Sequence, residues 1–260
     1  MIPTIEIMER ARELGVPPST IERDYAQNWL LATLHPINIA LKGGTGIRKV
    51  FIENYRFSDD LDFTLLEPVD AVTLRAAVTD AVMRVRDESG IPFEDELSFR
   101  ETKTGFKATA RFRILNRSSA SPVKIDLDLT GPDQENVMLP VSMRPIFHPY
   151  SDGLKASTTS YALEEIMAEK IRSAFQRTRS RDLYDIWQLA DCVNCEGVRS
   201  ILHQKCEYKG VIVDTATLIL KRDRFGADWR VSLGHQMSEI PDFNGAFDKV
   251  LGTIEDYSTR

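Results

Sequence analysis

Residues 42–63 read Lys-Gly-Gly-Thr-Gly-Ile-Arg-Lys-Val-Phe-Ile-Glu-Asn-Tyr-Arg-Phe-Ser-Asp-Asp-Leu-Asp-Phe. A Gly-Gly-Thr turn closes a short apolar run, Ile37 to Leu41, that reads as a strand. An Asp-x-Asp pair opens a second strand, Leu61 to Leu66. A glycine pair lets the backbone approach a polyphosphate closely, with its N–H groups free to bind phosphate oxygens. Asp60 and Asp62, two apart on a strand, share one face, while Leu61, Phe63 and Leu65 share the other. Two carboxylates side by side suit Mg²⁺, which binds through one or two carboxylates plus substrate phosphates. Residues 46–54 can form a helix whose N-terminus faces the glycines, a ready anion site.

Working outward, residues 4–14 and 19–34 carry helical spacing, the second opened by Pro17-Pro18 with Ser19 or Thr20 as its cap. Val69 to Glu88 predicts an amphipathic helix ending at Gly90. Alternating runs at 95–103, 107–115 and 122–130 follow, and Val123 to Leu129 alternates most strictly. Asp126 and Asp128 fall on one face of that run, opposite Ile125, Leu127 and Leu129. From about residue 160 the signal is helical to the end. Strands first and helices later predict an α+β fold: a mixed β-sheet with flanking helices, then a helical C-terminal part. The expected domains are 1–158 and 159–260.

Composition narrows the setting. The chain has 260 residues, 42% hydrophobic and 28% charged, as in an ordinary soluble globular protein. No apolar run approaches the ~20 residues of a membrane helix, and the N-terminus lacks a signal-peptide pattern. Three cysteines make no disulfide framework, so a reducing cytoplasm is expected. A net charge of −6 disfavours binding nucleic acid over the whole surface, so any such partner needs a local basic patch. Candidates are Lys103, Lys107, Arg111 and Arg113, and Arg172, Arg177, Arg179 and Arg181.

Other residues are read one by one. The Thr45 hydroxyl suits a phosphate, and Ser58 either donates similarly or caps a turn. Arg48 and Lys49 reach for a triphosphate or simply cover an exposed helix face, and Arg56 suits holding the loop before Asp60. Lys170 sits four after Ile166 and three after Met167, on an apolar stripe with Leu163, Ile171 and Ala174. A lysine there is costly unless paired or facing a polar cavity; the alternative is a snorkelling surface lysine. Cys192, Cys195, His203 and Cys206 have no recognised zinc spacing, and buried, inert cysteines are expected. His35, His148 and His235 have no partner pattern.

Two blocks of this chain resemble the minimal nucleotidyltransferase superfamily, in detail its AbiEii/AbiGii toxin branch. The first is Gly43, Gly44 and Thr45 followed by Arg56, Ser58, Asp60, Asp62 and Phe63. The second is Glu169 and Lys170 followed by Arg181, Asp182, Tyr184 and Asp185. The resemblance covers roughly residues 20 to 250. It implies a Mg²⁺-dependent, pyrophosphate-releasing nucleotidyltransferase, with two ions expected and an NTP as substrate. Asp60 and Asp62 would hold metal, with Asp126 as third carboxylate and Asp128 its substitute. Gly43, Gly44, Thr45, Arg48 and Ser58 would bind the nucleotide. Lys170 would bind its phosphates, and Asp182 would be a functional acid contributed by the C-terminal part. The resemblance further implies a toxin–antitoxin or abortive-infection role, an RNA acceptor, notably the 3′ end of tRNA, and a cognate antitoxin as partner. Rival readings are transfer to a protein or small molecule, and a non-enzymatic nucleotide binder with a degenerate site.

Overall fold

The structure, a computed structural model, describes residues 1–115 and 121–258. The chain divides into two bodies: Met1–Glu135 with Val141–Tyr161, and Asn136–Pro140 with Ala162–Arg260. The first body begins with helices α1 (Thr4–Glu13) and α2 (Pro18–Thr33). Strand β1 (Ile39–Lys42) runs into a helical turn α3 (Gly43–Gly46), which continues as a π-helical turn over Ile47–Phe51. Then come β2 (Leu61–Leu65), α4 (Ala71–Ser89), β3 (Ser98–Thr102), β4 (Gly105–Phe112), β5 (Val123–Thr130), β6 (Ser142–Pro145) and β7 (Ser157–Ser160).

The strands form one mixed sheet in the order β3-β4-β5-β2-β1-β7-β6. β2 pairs parallel with β5 and β1 parallel with β7; the other pairings are antiparallel. Period-two alternation divides its faces. Leu61, Phe63 and Leu65 of β2 and Ile125, Leu127 and Leu129 of β5 are all buried in the core that α2 and α4 help to build. Each such side chain contributes roughly 1.5–3 kcal/mol by leaving water. α4 presents Leu74, Val78, Ala81, Val82 and Val85 at helical spacing. It opens on Asp70, whose carboxylate accepts from the Val72 and Thr73 N–H groups, and ends at Gly90 with φ 72°. The carboxylates of β2 and β5 are left on the sheet's other face.

Three local features differ from the sequence reading. α2 starts at Pro18 after an uncapped Pro17, so neither Ser19 nor Thr20 is the cap; proline at a first helical position loses no hydrogen bond. The helix expected over 46–54 begins instead at Gly43, so the glycines form its first turn. β6 and β7 lie in a stretch with no apolar alternation. Ser142-Met-Arg-Pro and Ser157-Thr-Thr-Ser are four-residue strands held by pairing, and Pro145 is tolerated because β6 is an edge.

The second body is helical: α5 (Leu163–Gln176), α6 (Ser180–Leu189), α7 (Cys195–Tyr208), α8 (Thr215–Leu220), α9 (Arg222–Leu233) and α10 (Phe243–Ser258). The last two residues of the helical tail lie outside the described residues. Ile166, Met167, Ile171, Leu183, Ile186, Val198, Trp229, Phe247 and Val250 are buried in it. Segment 136–140 joins this body because the Glu165 carboxylate accepts from the Met138 and Leu139 N–H groups, both at 2.8 Å. Glu165 also pairs with Lys205 at 2.7 Å, and Lys205 with Glu169 at 3.1 Å. Among the described residues no helix is long and apolar enough to cross a membrane, and no group of three or more His, Cys, Asp or Glu is placed to hold a metal ion. Only Cys206 of the three cysteines is buried, and burial pushes its thiol up to about 11.

Candidate active site

Strand register aligns a row of charge across the sheet. Lys42 of β1 is the Cα partner of Asp62 of β2, Asp62 of Asp128 of β5, and Asp128 of Lys107 of β4. Registered partners project to the same side of a sheet, so the row places two carboxylates between two lysines. Asp60 lies two residues before Asp62, at the entrance to β2. Its charge is near enough to help hold the Lys107 ammonium in its charged form.

The glycine turn closes on this row. Gly43 has φ 68°, and a Cβ there would meet Asp62 Oδ2 at 2.5 Å. A Cβ on Gly44 would meet Arg56 Nη2 at 2.7 Å and Ser58 Oγ at 3.2 Å. Both glycines are therefore required by close approach: one to the carboxylate, the other to the loop preceding it. That loop is held from below, where Gln27 of α2 donates to the Ser58 and Asp59 carbonyls at 3.0 and 3.1 Å. Arg23 pairs with Asp59 at 2.6 Å.

Two expected phosphate ligands have other work. Thr45 is fully buried and its hydroxyl donates to the Asp60 carbonyl, tying the turn to the Asp-x-Asp strand. Arg48 Nε binds Asp24 Oδ1 at 2.6 Å, its fork also donates to the Tyr55 carbonyl, and its plane lies 3.7 Å over the Phe57 ring. Lys49 is buried on the same carboxylate at 2.7 Å, and Tyr150 donates to Asp24 Oδ2 at 2.8 Å. Burial pulls Lys49 down to about 8 despite Asp24. Burial works to raise Asp24, but Arg48 and Lys49 outweigh it and hold the carboxyl well below its usual range. Arg48 and Lys49 thus anchor the π-helical turn to α2, and the alternative that they cover an exposed helix face is corrected.

Asp126 and Asp128 have different partners on the sheet face. Asp126 Oδ1 accepts from Thr109 Oγ1 at 2.7 Å, while Oδ2 faces Lys107 at 3.0 Å and Lys124 at 3.4 Å. Burial works against ionisation, but the Thr109 hydroxyl and Lys107 hold the carboxyl below its ordinary value. Asp128 is the carboxylate registered with Asp62; burial, then the Asp62 charge, raises its pKa.

In the second body Lys170 is neither snorkelling nor facing solvent. Its ammonium lies 2.9 Å from Asp182 Oδ1 and 2.7 Å from Asp185 Oδ2, and Arg177 Nε reaches Asp182 Oδ2 at 2.8 Å. Burial opposes the Asp182 charge, but Lys170 and Arg177 hold it far below the usual range. Glu169, next to Lys170, turns to Lys205. Arg172 is buried, which removes it from the candidate RNA patch, whereas Arg177 stays exposed beside its Asp182 pair.

Sequence reading missed Lys42 as a site residue and placed Lys107 in a nucleic-acid patch. Lys42 ends the strand directly before Gly43, so adjacency was a signal for it. Lys107 needed the β4–β5 register, which one sequence does not display.

A glycine turn closed on paired carboxylates of a mixed sheet fits the nucleotidyl-transfer class. A family model described as "Nucleotidyl transferase AbiEii toxin, Type IV TA system" matches residues 29–253, and the chain belongs to that family. It is accordingly a nucleotidyltransferase of the toxin type found in type IV toxin–antitoxin systems. Solved structures share its fold. MenT4, a nucleotidyltransferase toxin from Mycobacterium tuberculosis, aligns at a TM-score of 0.72 and 18% identity, covering 100% of this chain and 91% of that one. JHP933 from Helicobacter pylori aligns at a TM-score of 0.59 and 16% identity, covering 92% of each chain. Among curated proteins nothing matches significantly.

Proposed function

We propose that the protein transfers a nucleotide from an NTP to the 3′ end of transfer RNA in the cytoplasm, releasing pyrophosphate, and that a cognate antitoxin restrains it. The observation that carries the reading is the closure of the Gly43 turn on Asp62, which puts backbone N–H groups and carboxylates on one small surface. Asp60 and Asp62 would hold Mg²⁺. No third protein donor is needed for this, since Mg²⁺ commonly keeps waters and takes its remaining oxygens from substrate phosphates. Bound there, the ion would neutralise charge on the triphosphate and the leaving pyrophosphate.

The chain's own residues supply the rest. Gly43 and Gly44 present N–H groups to the outer phosphates, with Ser58 at the rim of the turn. Thr45, Gln27 and Arg56 fix the positions of the turn and of the Asp60 loop. Asp128, registered with Asp62, is the carboxylate placed to accept the proton of the attacking hydroxyl. We assign Lys170 and Asp182 to the same reaction from the second sequence block, Lys170 as the phosphate-binding cation and Asp182 as the acid that orients it. Positioning and electrostatics then provide most of the acceleration, with no covalent protein intermediate.

The test incubates the protein and Mg²⁺ with each α-labelled NTP and total cellular RNA. Label moving into tRNA-sized RNA is the expected outcome. Label moving instead to protein or to a soluble low-mass product would replace the RNA acceptor. Absence of nucleotide binding would indicate a degenerate site.

A further inference from the structure

Four carboxylates, Asp60, Asp62, Asp126 and Asp128, crowd one end of one sheet face, and one lysine on a neighbouring strand reaches into them. Lys107 of β4 is registered with Asp128. Its Nζ lies 3.0 Å from Asp126 Oδ2 and 3.7 Å from Asp128 Oδ1. Its side chain is only 24% exposed. The lysine on the other flank, Lys42, reaches Glu135 at 3.8 Å. Lys124 also approaches Asp126, but its side chain is 61% exposed, where solvent screens it.

We propose that Lys107 is a resident cation of the active site: its ammonium holds the Asp126–Asp128 side of the carboxylate face in place of a second metal ion, leaving Asp60 and Asp62 as the side that takes one. This rests on the reading of Asp60 and Asp62 as metal-binding residues.

Two distances carry it. Asp126 Oδ1 accepts from the Thr109 hydroxyl and Oδ2 faces Lys107 at 3.0 Å, so an ion entering there would meet an ammonium at contact distance. The same ammonium lies 3.7 Å from Asp128 Oδ1, so one cation serves both carboxylates of β5. A fixed single charge on a protein strand suits this side because it needs no dehydration of an ion and leaves with neither product nor pyrophosphate. Its role is to position and neutralise, keeping Asp126 and Asp128 from repelling the triphosphate.

The test is a Mn²⁺ titration, read by calorimetry and by the electron paramagnetic resonance of free ion. It compares the wild type, Lys107→Met and Lys107→Arg, each checked for fold by circular dichroism. Wild type and Lys107→Arg should bind one ion. Lys107→Met should bind a second ion, or the first at least tenfold more tightly, and should melt lower than wild type in EDTA but regain the loss on adding Mn²⁺. Lys107→Gln, which keeps a donor for Asp126, replaces the Met variant if that one does not fold. Two ions in the wild type, or one ion of equal affinity in wild type and neutral variant, overturns the proposal while leaving the metal reading standing. No binding by any form would overturn both.

Discussion

At the scale of single residues, the side chains divide into those that face the carboxylate row and those that hold it in place. Arg48 belongs to the second group. Arg48→Met should leave Asp24 buried with only Lys49 and Tyr150, costing about 3–5 kcal/mol, as when one partner of a buried pair is lost. Nucleotide affinity of the folded fraction should be unchanged. Urea unfolding and equilibrium nucleotide binding check this together, and a stable variant with weakened binding would return Arg48 to the phosphates. Lys170→Ala should likewise destabilise, since it takes an ammonium away from two buried carboxylates, Asp182 and Asp185. Its activity is therefore meaningful only beside a melting curve. Asp24 and Asp182 also set an acid limit. Both have folded pKa values below the unfolded carboxylate value of about 3.9, so at intermediate pH the unfolded chain binds more protons. Stability is therefore complete above that value and is lost as pH falls through the folded values. Melting temperature should drop steeply below about pH 4, and Asp24→Asn should flatten that drop while lowering stability at neutral pH.

At the scale of elements, the strand–turn–strand unit from β1 to β2 was legible because its chemistry is local. Gly-Gly-Thr and Asp-x-Asp announce themselves within 22 residues, and alternation in β2 and β5 separates carboxylates from the core side. What remained illegible was non-local. β6 and β7 carry no apolar pattern, so only pairing defines them. The partners of Arg48, Asp126 and Lys170 sit on other elements, which spacing cannot identify. Lys170 shows the limit best: its apolar stripe correctly marked it as inward-facing, yet only the structure shows that Asp182 and Asp185 are what it meets. The turn itself makes a sharp prediction. Gly43→Ala must place a Cβ at positive φ, costing about 1–2 kcal/mol, and must push Asp62 aside. Transfer should fall by orders of magnitude, far beyond what the stability loss explains. Near-normal transfer would mean the turn does not set the Asp62 position.

At the scale of the whole molecule, an acidic chain is expected to act on a polyanion, so any docking must be local. Arg111, exposed on β4 and registered with Lys124 of β5, continues the face that carries Lys107, and Arg179 is exposed ahead of α6. Labelling of RNA should weaken as salt rises. Arg111→Glu and Arg179→Glu should reduce it with nucleotide binding intact; a salt-insensitive reaction would point to another acceptor. If Asp60 and Asp62 make this family member an active nucleotidyltransferase, pyrophosphate release depends on both. Purified wild type, Asp60→Asn and Asp62→Asn are incubated with Mg²⁺, NTP and total RNA, each first shown to be folded. Wild type should release pyrophosphate in step with nucleotide incorporation, and either substitution or EDTA should abolish both. Undiminished release by the folded Asp62→Asn protein would contradict the account.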